Sequence, residues 1–338
     1  MNTGDLSTLL VWGAMTALTI ALVAYAVDLA AIAERAQRKV PAKATASAGA
    51  AGRTATAVAT PPGGTAAVGD GRSLRAEGIA RTTTYVGIVL LLGAVVTRGL
   101  AAGRWPTANM YEFTVVGVLV ATMVLAIVQR RRVIAFVGVL VLGIAVLALA
   151  LGLLVFFVQA DAVQPALQSY WLVLHVGVAI TATGVFTVAF AASVLQVLQD
   201  VREVGPRPVG EAARRTDGLR RWVTGPRFGW LQQVPSAREL EAQAFRLNAI
   251  GFVLWTFTLI GGAIWAEHAW GRYWGWDPKE VGTFVAWVVY AAYLHARTTR
   301  GWSGRKAAYF VFVGYAVVLA NFSVVNLFVT GKHSYSGL

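Results

Sequence analysis

The residues of this chain best suited to chemistry are one cluster of aromatic side chains and four histidines. The stretch Trp270-Gly-Arg-Tyr-Trp-Gly-Trp-Asp-Pro-Lys-Glu280 contains three tryptophans and a tyrosine within seven residues. Trp and Tyr commonly collect at membrane interfaces, but such belts are spread over many helix ends. This cluster is confined to one loop, and its glycines leave room for close approach of a ligand. The cluster therefore favours a platform for a large, flat ligand.

Two histidines are placed to bind a metal in such a ligand. His175 lies at the start of one apolar run, and His333 lies just past the end of another. Two imidazoles on separate helices at one membrane level can take both axial positions of a heme iron. Two unrelated interfacial histidines would give the same pattern, although ionisable groups in such places are often functional. Heme is the candidate ligand.

The other two histidines are interpreted differently. His295 follows Asp277 by 18 residues, so helix rise places it about 27 Å deeper. A heme at that depth would be a second heme, and this chain offers no other histidine there. His295 is therefore either an inner-rim residue or a ligand whose partner comes from another chain. His268 directly precedes the aromatic cluster and is interpreted as a loop residue.

Two short motifs predict helix starts. Asp277-Pro-Lys-Glu280 combines an N-cap, a proline at the first helical position and a glutamate three residues after the cap. Asp277 and Glu280 can therefore be explained by their role in starting a helix. Ser236-Ala-Arg-Glu239 is a second capping box, predicted to begin a helix that continues into the next apolar run.

Composition identifies an all-α polytopic membrane protein. The chain is 57% hydrophobic and 13% charged, with a mean hydropathy of +0.61, whereas soluble domains are about 25% charged. A bilayer core requires roughly 20 apolar residues per helix, and helices satisfy the backbone in lipid. A bundle of about eight spans is predicted, at about residues 7–28, 82–100, 113–129, 133–157, 171–195, 247–266, 281–299 and 307–329.

The distribution of basic residues predicts the orientation. Of the 29 lysines and arginines, 24 fall in segments assigned to the inside, namely residues 29–81, 130–132, 196–246 and 300–306 together with Arg297. Positive residues concentrate on the cytoplasmic side, so both termini are predicted to lie outside. This topology accounts for the net charge of +13, and no nucleic-acid partner is needed to explain it.

The predicted organisation is a first transmembrane helix at 1–33, a disordered cytoplasmic linker at 34–81 and a membrane domain at 82–338. The linker is rich in Ala, Gly, Thr and Pro and has no aromatic residue between positions 40 and 70. The membrane domain carries the tryptophan-rich outer loop at 265–280. The chain has no cysteine, which excludes thiol chemistry and a covalent heme of its own. No phosphate-binding loop or Ser-His-Asp arrangement supports ATP use or hydrolysis.

The motif WGRYWGWDPKE resembles the tryptophan-rich signature of heme-handling membrane proteins. Within them the chain resembles the CcsA/ResC-type subunit, also called CcsB, of the system II cytochrome c synthase. The resemblance covers about residues 82–338 and extends to four further segments: Arg104–Phe113, Pro165–His175, Tyr293–His295 and Gly331–Tyr335. In place of Glu267-His268-Ala-Trp270 the family usually has a polar run such as Asn-x-Ala-Trp.

The resemblance implies a heme-lyase subunit of the cell membrane whose active face is outside. Heme b would be carried across the membrane and presented to the Cys-x-x-Cys-His motif of apocytochrome c for thioether attachment. A ResB-like subunit would complete the synthase, and an outer thioredoxin-like protein would keep the client thiols reduced. The implied catalytic residues are His175, His333 and Asp277, with the two histidines on the heme iron. The implied heme-binding residues are Trp270, Tyr273, Trp274, Trp276 and the same two histidines, with His295 on a second, inner heme.

Two other functions use similar features. A system I heme-presenting subunit of an exporter shares the tryptophan loop and two external histidines, but it is usually smaller, and His295 argues against it. A membrane electron carrier with permanent b-type hemes would pair its histidines inside one bundle and would not need an exposed tryptophan loop. Heme release distinguishes the carrier, because a carrier retains its heme and a synthase passes it on.

Overall fold

A computed structural model describes residues 2–38, 70–130, 134–161, 168–205 and 217–333. All regular structure in these ranges is helical, which confirms the predicted all-α class. The helices are α1 Thr3–Arg38, α2 Asp70–Ala102, α3 Met110–Val128, α4 Ala135–Leu154, α5 Tyr170–Val204, α6 Asp217–Thr224, α7 Ala237–Trp270, α8 Pro278–Thr299, α9 Arg305–Phe322 and α10 Val324–Phe328, with a 3-10 helix at Pro226–Gln233.

Seven helical segments among the described residues are long and apolar enough to cross a membrane. They contain α1, α2, α3, α4, α5 and α7, and the seventh runs from Arg305 to Phe328. This agrees with the prediction of a polytopic membrane protein. The helix α8 has 22 residues and matches the predicted run at 281–299, but it is not among the seven. The eighth span and the external termini therefore stay predictions.

Several helices are much longer than a bilayer requires. The helices α1, α2, α5 and α7 have 36, 33, 35 and 34 residues, whereas about 20 suffice. Consequently α1 continues to Arg38 and α2 begins at Asp70, so both ends of the predicted linker at 34–81 are helical. Residues 39–69 of that linker lie outside the described residues. The Ser236–Glu239 capping box starts α7, which continues to Trp270, as predicted.

The last apolar run is not one straight helix. The helix α9 ends at Phe322, and α10 begins at Val324 after a single residue, Ser323. The Ser323 hydroxyl donates a hydrogen bond of 2.7 Å to the carbonyl of Leu319. Such a bond from a helical serine to the preceding turn is associated with bending. The break lies beside the polar side chains that close one end of the site described below.

Two packed regions hold the bundle together. A large apolar core joins α1, α2, α3 and α4. A second cluster joins α5, α7, α8 and α9, where Phe186 stacks on Tyr290 with ring centroids 3.9 Å apart. Trp255 of the same cluster donates from its indole N–H to the Thr283 carbonyl at 3.0 Å. This second cluster fixes the relative positions of the four helices that carry the candidate site.

Candidate functional site

A cavity of about 940 Å³, including its open mouth, lies where the start of α5 meets the end of α7, the start of α8 and the end of α9. The segment before α3 forms a further wall. His175 and His333 both line it, and so does Thr183, two turns or about 12 Å further along α5 than His175. The cavity therefore extends from the histidines into the body of the bundle.

His175 is held in one tautomer by its neighbour on α7. Its Nδ1 lies 2.8 Å from the carbonyl oxygen of Thr258, and a carbonyl can only accept, so Nδ1 carries the proton. The Nε2 atom keeps its lone pair, which is the state a metal ligand requires. The ring fits closely against α7, because a Cβ on Gly262 would lie 2.6 Å from the imidazole Cε1. A glycine at position 262 permits this approach.

His333 is oriented by a carboxylate. Its Nδ1–H donates to Asp277 Oδ1 at 2.7 Å, so Nε2 again keeps a free electron pair. A carboxylate behind a ligating histidine fixes the ring and makes the imidazole a stronger donor. Asp277 also accepts from the backbone N–H of Lys279 at 3.0 Å and of Lys332 at 2.6 Å. One side chain thus caps α8 and anchors the segment that carries His333.

The electrostatics of Asp277 suit this role. Burial by itself raises the pKa of this carboxyl group. The hydrogen bonds from His333 and from the two backbone amides outweigh burial and lower the pKa of Asp277 to about 2. The group is therefore a carboxylate at neutral pH. Its first-turn partner Glu280 accepts from the Asp277 backbone at 3.1 Å, so the predicted capping box is present.

Trp265, which was not predicted to be a site residue, lies beside both histidines. Its ring centroid is 6.3 Å from that of His175, with nearly parallel planes, and 5.6 Å from that of His333. The side chain is only 1% exposed. Its indole N–H is buried and donates to no acceptor in the part of the chain that the structure describes. It is the first residue of the predicted outer loop at 265–280, but residues 265–270 of that range belong to α7, and the loop begins only after Trp270.

The predicted aromatic platform divides into two parts. Trp270 packs edge-on against His333 at 4.9 Å and against Trp265 at 4.8 Å. Trp274 instead contacts Trp276 at 5.7 Å and lines a smaller cavity shared with His175, His333 and Tyr273. Trp276 is 77% exposed and has φ of +59°. This left-handed backbone conformation is unfavourable for a residue other than glycine. At position 276 it accompanies the presentation of the ring to the surroundings.

A polar group on α8, α9 and α10, which was not predicted from the sequence, closes one end of the cavity. Lys279 Nζ donates to the carbonyl of Asn321 at 2.8 Å and to Asn326 Oδ1 at 2.7 Å. The Asn321 amide in turn donates to Thr283 Oγ1 at 2.9 Å. All four residues line the cavity. The rest of its wall is largely apolar, so the site has one polar end.

The segment before α3 is fixed by a buried ion cluster. The Glu112 side chain is fully buried and accepts from Arg98 Nε at 3.1 Å and from Arg104 Nη1 at 2.8 Å. It also accepts from the backbone N–H of Ala108 at 2.9 Å. Arg98 and Arg104 reach further, to the carbonyls of Val158 and Asp161. The cluster thus ties this wall of the cavity to the segment that follows α4.

His295 and His268 lie apart from this site. His295 is exposed near the far end of α8 and lines neither cavity that contains His175 and His333. His268 was predicted to be a loop residue, but it lies in the last turn of α7. It is exposed as well, with its Nδ1 2.8 Å from the Ile264 carbonyl and 3.4 Å from a carboxylate oxygen of Glu267. The structure therefore brings together His175, His333, Trp270 and Asp277 and does not bring either of the other histidines to them.

The sequence of the chain matches a known protein family. Residues 105–333 match the family model of the cytochrome c assembly proteins. The cytochrome c biogenesis protein CcsA of Synechococcus sp. (strain CC9902) is 33% identical over 270 residues, which cover 76% of this chain and 86% of that protein. CcsA of Gloeothece citriformis is 35% identical over 278 residues, covering 73% and 83%. CcsA of Synechococcus elongatus is 35% identical over 277 residues, covering 72% and 82%.

A solved structure shares the fold. The cytochrome c heme lyase CcmF aligns with a TM-score of 0.60 at 16% identity, over 95% of this chain and 47% of that one. The chain belongs to the cytochrome c assembly protein family, and it is a CcsA-type member. Its role is in cytochrome c biogenesis. Of the three functions considered from the sequence, these relatives favour the first.

Proposed function

We propose that the chain is the heme-presenting subunit of a cytochrome c synthase. Heme b is its substrate, and His175 and His333 take the two axial positions of the iron. One observation carries this proposal: both histidines line one cavity. In each of them Nδ1–H is hydrogen-bonded to an acceptor, so Nε2 keeps an electron pair that can bind iron. Paired histidines of this kind are heme ligands in many proteins.

The aromatic residues would hold the porphyrin ring rather than the iron. Trp265 contacts both imidazoles, and Trp270 contacts that of His333. The two indoles would therefore flank a ring bound between the histidines. Tyr273, Trp274 and Trp276 form the outer part of the platform, where an apocytochrome could approach. Aromatic pairs contribute about 0.5–1.5 kcal/mol each beyond the area they bury, which is enough to orient a ring.

The reaction at this site is thioether formation. Each cysteine thiol of the client's Cys-x-x-Cys-His motif adds across one heme vinyl group. A sulfur–carbon bond forms at one vinyl carbon and the thiol proton goes to the other, so no oxidant is consumed. The client histidine then replaces a site histidine on the iron, and the product leaves. In the family that this chain resembles, the chemistry requires reduced iron, and ligation by two histidines would protect that state.

The membrane arrangement completes the proposal. The helix α8 is the eighth span, both termini lie outside, and the His175–His333 cavity opens at the outer face of the plasma membrane. Heme reaches it from the inside. A ResB-like subunit completes the synthase, and a thioredoxin-like protein reduces the client thiols. His295 is one axial ligand of an inner heme, and the ResB-like subunit provides the other. The 24 basic residues in the segments assigned to the inside support this orientation.

Replacement of the histidines tests the axial assignment. We expect His175→Ala and His333→Ala each to abolish cytochrome c maturation, and added imidazole to restore part of it by filling the vacant position. Absorption spectra of the purified variants should show loss of the low-spin, two-histidine signal, with recovery on addition of imidazole. His268→Ala is the matched control and should mature cytochrome c normally. Normal maturation in both single variants would contradict the assignment.

A further inference from the structure

Lys279 lies in an unusual position for a cation. It occupies the first turn of α8, lines the large cavity with both histidines, and also lines the smaller cavity beside them. Its ammonium group has three donor protons. Two are directed to neutral oxygens, the Asn321 carbonyl and Asn326 Oδ1. One donor therefore remains for a third partner.

The charge of Lys279 is not matched by the protein around it. In the described part of the chain, the Lys279 ammonium has no carboxylate within ion-pair distance. The charge of Asp277 acts on it, but that carboxylate is engaged by His333 and by the backbone N–H groups of Lys279 and Lys332. Glu280 is directed to the backbone of Gly275 and Asp277. The N-terminus of α8 adds further positive potential at the same place.

A cation among neutral partners in an apolar cavity is costly unless an anion joins it. The proposed substrate supplies one, because heme carries two propionate carboxylates along one edge and is apolar elsewhere. We propose that Lys279 binds a heme propionate, with Asn321 and Asn326 holding its ammonium group in place. This inference rests on the proposed function. It fixes the orientation of the ring, since the vinyl groups then lie toward the side of the cavity away from the α8–α9 end.

Esterification of the propionates provides the test. The purified full-length chain in detergent is titrated with hemin and with hemin dimethyl ester, which keeps the iron and the vinyl groups but removes both negative charges. Binding is followed by the low-spin, two-histidine absorption. We expect the wild-type chain to prefer hemin by at least about tenfold, a factor within the contribution of a charge-assisted hydrogen bond.

The variants assign that preference to one side chain. In Lys279→Met the preference should fall to near unity, mostly through weaker hemin binding, and Lys279→Arg should restore much of it. Lys306→Met, an exposed lysine beside Trp302 and outside the cavity, should keep the wild-type preference. Thermal unfolding of each variant without heme checks that the bundle is intact.

Each other outcome overturns the inference. Equal binding of the two ligands by the wild-type chain, or a preference that survives in Lys279→Met, would show that Lys279 does not bind the propionate. Equal weakening of both ligands in Lys279→Met would assign the residue to packing of α8 against α9. A preference lost in Lys332→Met instead would move the contact to the exposed lysine above Trp270. Failure of the wild-type chain to bind either ligand would overturn the proposed function itself.

Discussion

At the scale of single residues, the site depends on how each imidazole is held. Thr258 and Asp277 accept from the Nδ1 atoms of His175 and His333. The first acceptor is a neutral carbonyl and the second is a carboxylate. The two histidines are therefore unequal donors, with His333 the more electron-rich. This asymmetry predicts that His333 sets the redox properties of a bound iron more strongly than His175 does.

Substitution of Asp277 tests that asymmetry. Asp277→Asn keeps a good N-cap for α8 but removes the negative charge behind His333. We expect a low-spin heme with a more positive reduction potential, because a weaker donor stabilises the oxidised iron less. Potentiometric titration of the purified chain measures the shift. Asp200→Asn, which alters a carboxylate paired with Arg305 outside the cavity, should leave the potential unchanged, and an unchanged potential in Asp277→Asn would refute the asymmetry.

Gly262 tests the close approach of His175 to α7. In Gly262→Ala the new methyl carbon would lie 2.6 Å from the imidazole, closer than carbon atoms approach each other, so the ring must move. We expect a large fraction of the bound heme to lose the low-spin spectrum while the helix itself persists. Absorption spectroscopy measures the fraction. Gly143→Ala is the matched control, since nothing lies within 4 Å of its added carbon, and equal spectra in the two variants would contradict this account of the site.

At the scale of elements, the cavity is formed by helix ends and by one braced loop. The helices α5, α7, α8 and α9 present their ends to one another because Phe186, Tyr290 and their neighbours pack deeper in the bundle. The segment before α3 is held by Glu112 with its two arginines. We infer that this ion cluster acts as a brace for one cavity wall and has no direct part in the chemistry.

Glu112→Gln should destabilise the fold strongly. Arg98 is 4% exposed and Glu112 is fully buried, and removal of one member of a buried ion pair costs about 3–5 kcal/mol. The midpoint of thermal unfolding in detergent should therefore fall by several degrees or more. The partly exposed pair of Arg81 and Glu77 provides the control, because such pairs contribute at most about 1 kcal/mol. Comparable shifts in Glu112→Gln and Glu77→Gln would show that the brace is unimportant.

At the scale of the whole molecule, the histidines are distributed between the two ends of the bundle. His175 and His333 meet at one end, and His295 lies exposed near the other end of α8. An exposed histidine on a helix of the bundle suits a ligand whose second partner is on another chain. We therefore propose one heme in the cavity of the chain itself and a second heme shared with a subunit.

The heme content of the purified protein tests this arrangement. Purified alone, the chain should bind at most one heme tightly. Purified with the ResB-like subunit, it should carry additional heme that disappears in His295→Ala and persists in His268→Ala. Pyridine hemochrome analysis against protein concentration gives the ratio. Two tightly bound hemes in the isolated chain would contradict the prediction and would indicate an inner ligand other than histidine.

The sequence by itself determined the features that depend on local composition. Apolar runs of about 20 residues specify membrane helices because each helix satisfies its own backbone. The capping boxes at Ser236 and Asp277 were predicted because a cap involves residues only three apart. The motif resemblance and the placement of histidines at run ends indicated His175 and His333. The predicted linker was too long, because α1 and α2 continue as helices beyond the apolar residues from which they were predicted.

The tertiary structure alone decided which side chains meet. In a membrane helix both the lipid-facing and the protein-facing sides are apolar, so periodicity does not show which face of α7 or α9 points inward. Trp265, Lys279 and Asn321 were therefore missed, because each enters the site only through the packing of α5, α7, α8 and α9. The partners of the histidines were hidden for the same reason: Thr258 lies 83 residues from His175, and Asp277 lies 56 residues from His333. Contacts over such separations arise from the arrangement of helices, which no local pattern encodes.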